Sequence, residues 1–281
     1  MKSGGIVRTC MLLGTLLLLL GAPLRAASNG ALEDGSLELR YGLYWGGLKL
    51  ATLALRHDAD AEGYTAETTI ATVGLLDQIV RYRGQSRIAG ERGPAGELLP
   101  VAYRMESERR SKTRSAALEF DPGTGRVVHL EMTKRGEPYR SNVPRAQRQG
   151  VVDPLTALLR LRAWAAGARL GDRAASRIAV FDGRRRYDLE IAWRGREQVT
   201  LAGRTWPALR LEVRLVPVAG FDEDDLEHTR AGEDAMALAV LLSDDQRLLP
   251  LKVQTLNATI TGTAQLLEDC STEAGCRLAA R

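Results

Sequence analysis

Val151-Val-Asp-Pro-Leu-Thr-Ala-Leu-Leu-Arg-Leu-Arg-Ala-Trp-Ala-Ala166 decides how this chain is read, because it is a helix in a sequence that otherwise reads as strand. Asp153 suits the N-cap: its carboxylate can accept the first-turn N–H groups that have no partner inside a helix. Pro154 takes the first helical position, where a missing N–H costs nothing, and holds Asp153 extended as a cap requires. Gly167 offers the stop, and Gly171 follows. At about 100° per residue, Leu155, Leu158, Leu159, Leu161 and Ala165 share one broad apolar face. Arg162 falls near the middle of that face, whereas Arg160 lies on the polar side with Thr156. A charge facing a core is costly unless partnered, and arginine does not shed its proton to escape. Three arrangements would answer this. The stem lies on apolar surface with the guanidinium in water; a carboxylate such as Asp244 or Asp245 pairs with it; or it binds the anionic head of a ligand at a cavity mouth.

Outward from the helix, short strands follow one another at hairpin spacing. Leu37–Trp45 alternates apolar and polar residues, Gly46-Gly47 turns, and Leu48–His57 returns with its phase slipping near Ala51, as at a bulge. Tyr64–Val73, Ile79–Ile88, Leu98–Glu108, Ser115–Phe120 and Arg126–Thr133 continue the pattern, with Asp121-Pro-Gly-Thr-Gly125 as a turn. Pro100 favours an edge strand or a strand start. Lys134–Gly150 reads as a loop. Beyond the helix come Arg177–Phe181, Arg184–Trp193, Gln198–Leu201 and Trp206–Val218, then an acidic loop Phe221–Asp234. Met236–Ser243, Leu249–Asn257 and Thr259–Leu267 complete the set. The expected class is mainly β: antiparallel strands curled into an open barrel, half-barrel or sandwich with one central helix, about Asp153 to Ala166. A transmembrane barrel would want aromatic girdles, and an aromatic content of 5% argues against it.

Met1–Ala26 has the build of a cleaved signal peptide, with Lys2 and Arg8 ahead of the apolar run Met11–Leu20 and Leu24-Arg25-Ala26 as the cleavage site. A single β-rich domain is expected over residues 27–267, and a tail over 268–281. Loss of Lys2, Arg8 and Arg25 lowers 39 basic side chains to 36 against 35 acidic, so the general case for nucleic acid fails. No later stretch approaches ~20 apolar residues, so no membrane-spanning helix is expected after cleavage. Cys270 and Cys276 are the cysteines beyond the leader, and an oxidising compartment would join them.

Four stretches resemble one family. They are Tyr41-Gly-Leu-Tyr-Trp-Gly-Gly-Leu48, Leu98-Leu-Pro-Val-Ala-Tyr103, Asp153-Pro-Leu-Thr-Ala-Leu-Leu-Arg-Leu-Arg162 and Leu241-Leu-Ser-Asp-Asp-Gln-Arg-Leu-Leu-Pro250. Together they resemble the secreted Gram-negative family known as domain of unknown function 3108, over about Leu37–Leu267. The resemblance implies a secreted, β-rich architecture and carries no chemistry; the cleaved signal peptide makes the periplasm the expected location. The tail cysteines lie outside it.

The catalytic inventory is thin. His57, His129 and His228 are far apart and form no metal-ligand spacing. No nucleophile elbow and no glycine-rich phosphate loop is present. Asp222-Glu-Asp-Asp225 lacks the glycine of a calcium loop. Neither a metal nor a cofactor is expected, and the protein is read as no enzyme. Arg104–Arg114 reads as a solvent-facing hairpin with cross-strand ion pairs, or as a contact for anionic envelope glycolipid; Arg184-Arg-Arg186 is read the same way. Three functions follow: a binding or carrier module for an apolar ligand such as a lipid or acyl chain, a structural or interaction component of the envelope with a filled core, or a hydrolase without a linear motif. Arg162 is the candidate binding residue; Asp153, Pro154, Cys270 and Cys276 are structural.

Overall fold

The structure is a computed structural model and describes residues 35–222, 237–256 and 258–271. The leader, His228, Cys276 and most of the acidic run lie outside them. Fourteen strands form one antiparallel sheet. The first eight are β1 (Gly35–Trp45), β2 (Leu48–Ala59), β3 (Gly63–Thr72), β4 (Tyr82–Arg92), β5 (Leu98–Arg109), β6 (Lys112–Asp121), β7 (Arg126–Lys134) and β8 (Glu137–Pro138). The helix α1 (Gly74–Ile79) joins β3 to β4, and α2 (Pro154–Leu170) follows β8. Then come β9 (Ser176–Phe181), β10 (Arg186–Leu201), β11 (Arg204–Ala219), β12 (Ala237–Ser243), β13 (Pro250–Thr255) and β14 (Gly262–Asp269). The sheet runs β8 to β1 in descending order, then β14 to β9, so α2 connects its two edges.

A sheet of this many twisted strands must curl. This one curls around α2 without β8 and β9 pairing. Residues 148–152, just ahead of α2, bridge the gap instead. Val127 N donates to Arg148 O (3.0 Å) and Val151 N to Gly125 O (3.1 Å), which ties the strip to the foot of β7. On its other side, Val152 N donates to Ala179 O and Phe181 N to Val152 O, both at 2.9 Å, which ties it to β9.

The helix has no single apolar face. Leu155, Leu159 and Ala163 pack with Tyr64, Ile88, Tyr103 and Leu118 of the first strands. Ala157, Leu161 and Ala165 pack against Val180, Ile191, Leu209, Leu211 and Leu242, and Leu158 reaches Leu39, Leu55 and Leu251. A helix apolar on every side is an enclosed one, and the one-sided reading is corrected accordingly. Gly167 does not stop it. The glycine is buried and the helix continues to Leu170, where Gly171 at φ 124° takes the cap; a side chain adopts that conformation rarely.

Other boundaries differ too. Ile79 ends α1 and does not open a strand. The two strands expected at Arg184–Trp193 and Gln198–Leu201 are one, β10, with the register slipping past Arg194. The slip near Ala51 falls where Leu50 is left unpaired. Pro100 sits in an interior strand, where the slip between Ala89 and Gly90 leaves Val101 unpaired; a bulge relieves a proline there as an edge would.

Candidate functional site

Four hydrogen-bond sets converge on α2. At its start, Asp153 Oδ1 accepts from Leu155 N and Thr156 N, both 2.9 Å, and Oδ2 accepts from Thr156 Oγ1 at 2.6 Å. Tyr64 OH sits 3.0 Å from the same Thr156 hydroxyl. Asp153 is fully buried, and burial pushes its carboxyl up while these hydrogen bonds pull it down. Arg160 is not on a solvent face: its Nε and Nη2 both donate to Leu98 O, at 3.0 and 2.6 Å.

Arg162 matches none of the three arrangements expected for it. It is 4% exposed, and its partners are backbone carbonyls: Nε donates to Leu248 O (3.1 Å) and Nη2 to Arg247 O (2.7 Å). Burial pushes its pKa down to about 10, which leaves it charged at neutral pH. Neither expected carboxylate meets it. Asp244 pairs with Arg196 at 2.7 Å. Asp245 acts indirectly, because its Oδ1 accepts from Ser243 Oγ, Arg247 N and Leu248 N and so folds the turn that presents the carbonyls. Leu248 sits there at φ 46°. Tyr41 OH donates to Pro250 O beside it (2.8 Å). The four family-like stretches therefore touch one another: the second receives Arg160, the fourth receives Arg162 and Tyr41. They are a frame around the helix. His57, 2% exposed, has both ring nitrogens without a hydrogen-bond partner. His129 is paired with Glu131 on β7.

The open chemistry lies elsewhere, on the concave face of β3–β7. Residues paired across an antiparallel sheet share a face, so the registers read as rows. Tyr103, Leu118 and Leu130 form the deepest row; Met105, Ala116 and Met132 the next; Ser107, Arg114 and Lys134 the third; Arg109 and Lys112 the last. Polarity rises from apolar floor to cationic mouth along that series. Glu106 and Glu108 alternate onto the opposite face, beside Gln85 and Arg83 of β4. The cross-strand ion pairs expected within Arg104–Arg114 are thus absent among the described residues, because Ser115 and Thr113 stand across from Glu106 and Glu108, while Arg109, Lys112 and Arg114 lie on the other face.

These rows wall a cleft of about 920 Å³, which Ile70, Thr72, Tyr82 and Pro154 also line. Arg135, Arg184 and Arg185 join Arg109, Lys112, Arg114 and Lys134 at its edge, against one carboxylate, Asp182. The Asp182 carboxylate is occupied by the N–H groups of Arg184 and Arg185 (2.8 and 2.6 Å). Two basic stretches seventy residues apart in sequence so meet across one opening. Arg184 also pairs with Asp222 (3.2 Å), and Arg185 stacks on Phe221. A second hollow of about 830 Å³ mixes Arg40, Lys49 and Arg83 with Glu106, Glu108 and Glu268, and so favours neither charge. No group of three metal-ligating side chains occurs among the described residues, and no helix among them is long and apolar enough to cross a membrane. Cys270 is buried at the end of β14, while Cys276 lies outside the described residues. Met105, Met132, Tyr82, Lys134 and Arg135 were not singled out by the sequence; the pairing register that gathers them has no local motif.

A family model described as "Protein of unknown function (DUF3108)" matches residues 40–265. Among curated proteins, none matches this chain. One similar solved structure is a beta-barrel-like protein of domain of unknown function DUF1849 from Brucella abortus, 11% identical, covering 85% of this chain and 97% of that one, with a TM-score of 0.46.

Proposed function

Starting from the premise that this chain belongs to the DUF3108 family, whose description carries no activity, we propose that it is a non-catalytic binding module of the periplasm for an anionic amphiphile. The acyl part lies on the Tyr103–Met105–Met132 floor and the anionic head at the mouth. The observation that carries this reading is the polarity gradient along the concave face of β3–β7. Its volume suits a single small-molecule ligand, and half-buried methionines accept irregular aliphatic shapes. The cations are exposed at the mouth, where they meet an anion without first being desolvated. The same reading includes a cleaved leader and a Cys270–Cys276 disulfide; two free thiols in the denatured, unreduced mature chain would oppose the latter.

The test is to load the purified full chain with a bacterial lipid extract, wash it, and analyse the bound species by mass spectrometry. Dodecyl phosphate, dodecanol and inorganic phosphate then serve as competitors. The reading expects dodecyl phosphate to displace the captured species, with either half alone far weaker. Competition by phosphate as strong as by dodecyl phosphate would remove the acyl half of the reading, and equal competition by dodecanol would remove the anionic half. The alternative of an interaction component with a filled core draws on β9–β13, whose inner face α2 covers; it expects no captured lipid.

A further inference from the structure

Alternating strand direction sends the β1–β2, β3–β4, β5–β6, β7–β8 and β13–β14 connections to one end, the end where the cleft opens. These turns are laced together. Gly46 N donates to Thr261 O and Val73 N to Leu50 O, both at 2.9 Å. Arg110 N donates to Arg81 O (3.0 Å) and its Nε to Ile79 O (2.7 Å); Arg135 N donates to Thr113 O (2.7 Å). They make one continuous rim.

The rim concentrates exposed apolar side chains: Trp45 (49%), Leu48 (68%), Leu75 (77%), Ile79 (62%) and Ile260 (46%). Leu75 and Ile79, four apart on α1, project to the same side. Arg110, Lys112 and Arg135 stand between these side chains, exposed and without a carboxylate partner among the described residues, while the exposed Arg81 adds its charge beside Asp77. The rim's own carboxylate on α1, Asp77, is held by Arg83 and Thr72. On the far half of the sheet, Asp222 follows β11 at this end and pairs with Arg184.

We propose that this rim is a docking surface for an anionic lipid bilayer, which would set the cleft mouth against the headgroup layer. Aliphatic and tryptophan side chains interleaved with arginine and lysine are the composition that seats a surface in the bilayer interface: the apolar groups enter the headgroup–acyl boundary and the cations meet lipid phosphates. Singly exposed leucines, such as Leu170 at the end of α2, need no explanation, but five of the eight exposed large apolar side chains among the described residues gather at this one end, which marks a contact. The proposal goes beyond the cleft reading and is tested apart from it.

The full chain is sedimented with vesicles of phosphatidylcholine alone and of phosphatidylcholine mixed equally with phosphatidylglycerol. Binding to the anionic vesicles and little to the neutral ones is expected, with a blue shift of tryptophan fluorescence that Trp45→Phe reduces. Arg110→Gln, Lys112→Gln and Arg135→Gln together should lower partitioning by roughly a hundredfold at low salt. Leu75→Ser with Ile79→Ser should lower it by about tenfold or more. Arg126→Gln with Arg204→Gln, at the other end of the strands, should leave it within about twofold, and Ser107→Trp, which fills the cleft, should leave docking intact. No binding to anionic vesicles, equal binding to both kinds, or an equal loss from the far-end pair would overturn the proposal.

Discussion

The two halves of the sheet obey the same alternation and end differently. Along β9–β13, inward positions hold Ile178, Val180, Ile191, Leu209, Leu211, Val213, Val240 and Leu242, and the Ala157–Leu161–Ala165 stripe of α2 closes over them. Alanine at two of those three helical positions lets the strands approach closely. Along β3–β7, α2 covers only the lower part of the strands, through Thr156 to Tyr64, Arg160 to Leu98 and Leu159 to the cluster around Tyr103 and Leu118. Beyond Ala116, which the β9–β10 turn meets at Gly183, the face opens and its side chains change from apolar to cationic. A covered face must be apolar because an unpaired polar group there is costly; an uncovered one is free to carry charge. The helix thus divides the molecule into a frame and a site.

Breaking the frame should cost most at Arg162. Arg162→Ala removes a buried guanidinium, strands two carbonyl acceptors and leaves a cavity, so we expect about 4 kcal/mol of destabilisation in denaturant unfolding. Arg160→Ala, at the partly buried side nearer the cleft, should cost about half as much. Equal losses would erase the contrast between the halves.

His57 sharpens the same contrast through pH. Burial first, then the Arg162 charge, holds its pKa down at about 4 from an ordinary 6.5, with Arg92 lowering and Asp58 raising it. The unfolded chain takes up a proton near 6.5 that the folded chain refuses until about 4. Stability is therefore full above the upper value, falls as pH drops through that window, and loses nothing further below it. The loss should be roughly 3 kcal/mol. In His57→Leu this part of the acid sensitivity should vanish, with stability at neutral pH unchanged or raised, because two unpartnered nitrogens leave the core. An unaltered pH profile would contradict the burial argument.

Asp153→Ala should cost about 2 kcal/mol, the upper end for a cap, because the loss also strands Thr156 against Tyr64; Asp153→Asn should recover part of it. In contrast, Arg114→Gln with Lys134→Gln should leave the unfolding midpoint in place while weakening dodecyl phosphate binding.

The frame was partly legible in the sequence. Cap, proline and strand periodicity each rest on neighbours in the chain, and so did the slip at Leu50. Arg162 could be placed facing inward by angle alone, but its partners could not be named, since a backbone carbonyl carries no residue signature. Arg160 was misplaced because a one-faced helix was assumed for one that is enclosed. The cleft was hidden for a different reason: Arg109 pairs with Lys112 across the turn residues Arg110 and Ser111, which hold no glycine or proline to announce a turn. Without that register, Arg104–Arg114 reads as a mixed-charge hairpin, although Arg109 already stands in the alternate position to Glu106 and Glu108.

Calorimetric titration of dodecyl phosphate into the native chain and into Ser107→Trp, with unfolding curves for both, tests the division into frame and site most directly. Ser107 stands in the open row between Gly84 and Arg114, and an indole there occupies the cleft without touching α2. The account predicts binding by the native chain, its loss in the variant, and coincident unfolding midpoints. Undiminished binding with the cleft filled would contradict it.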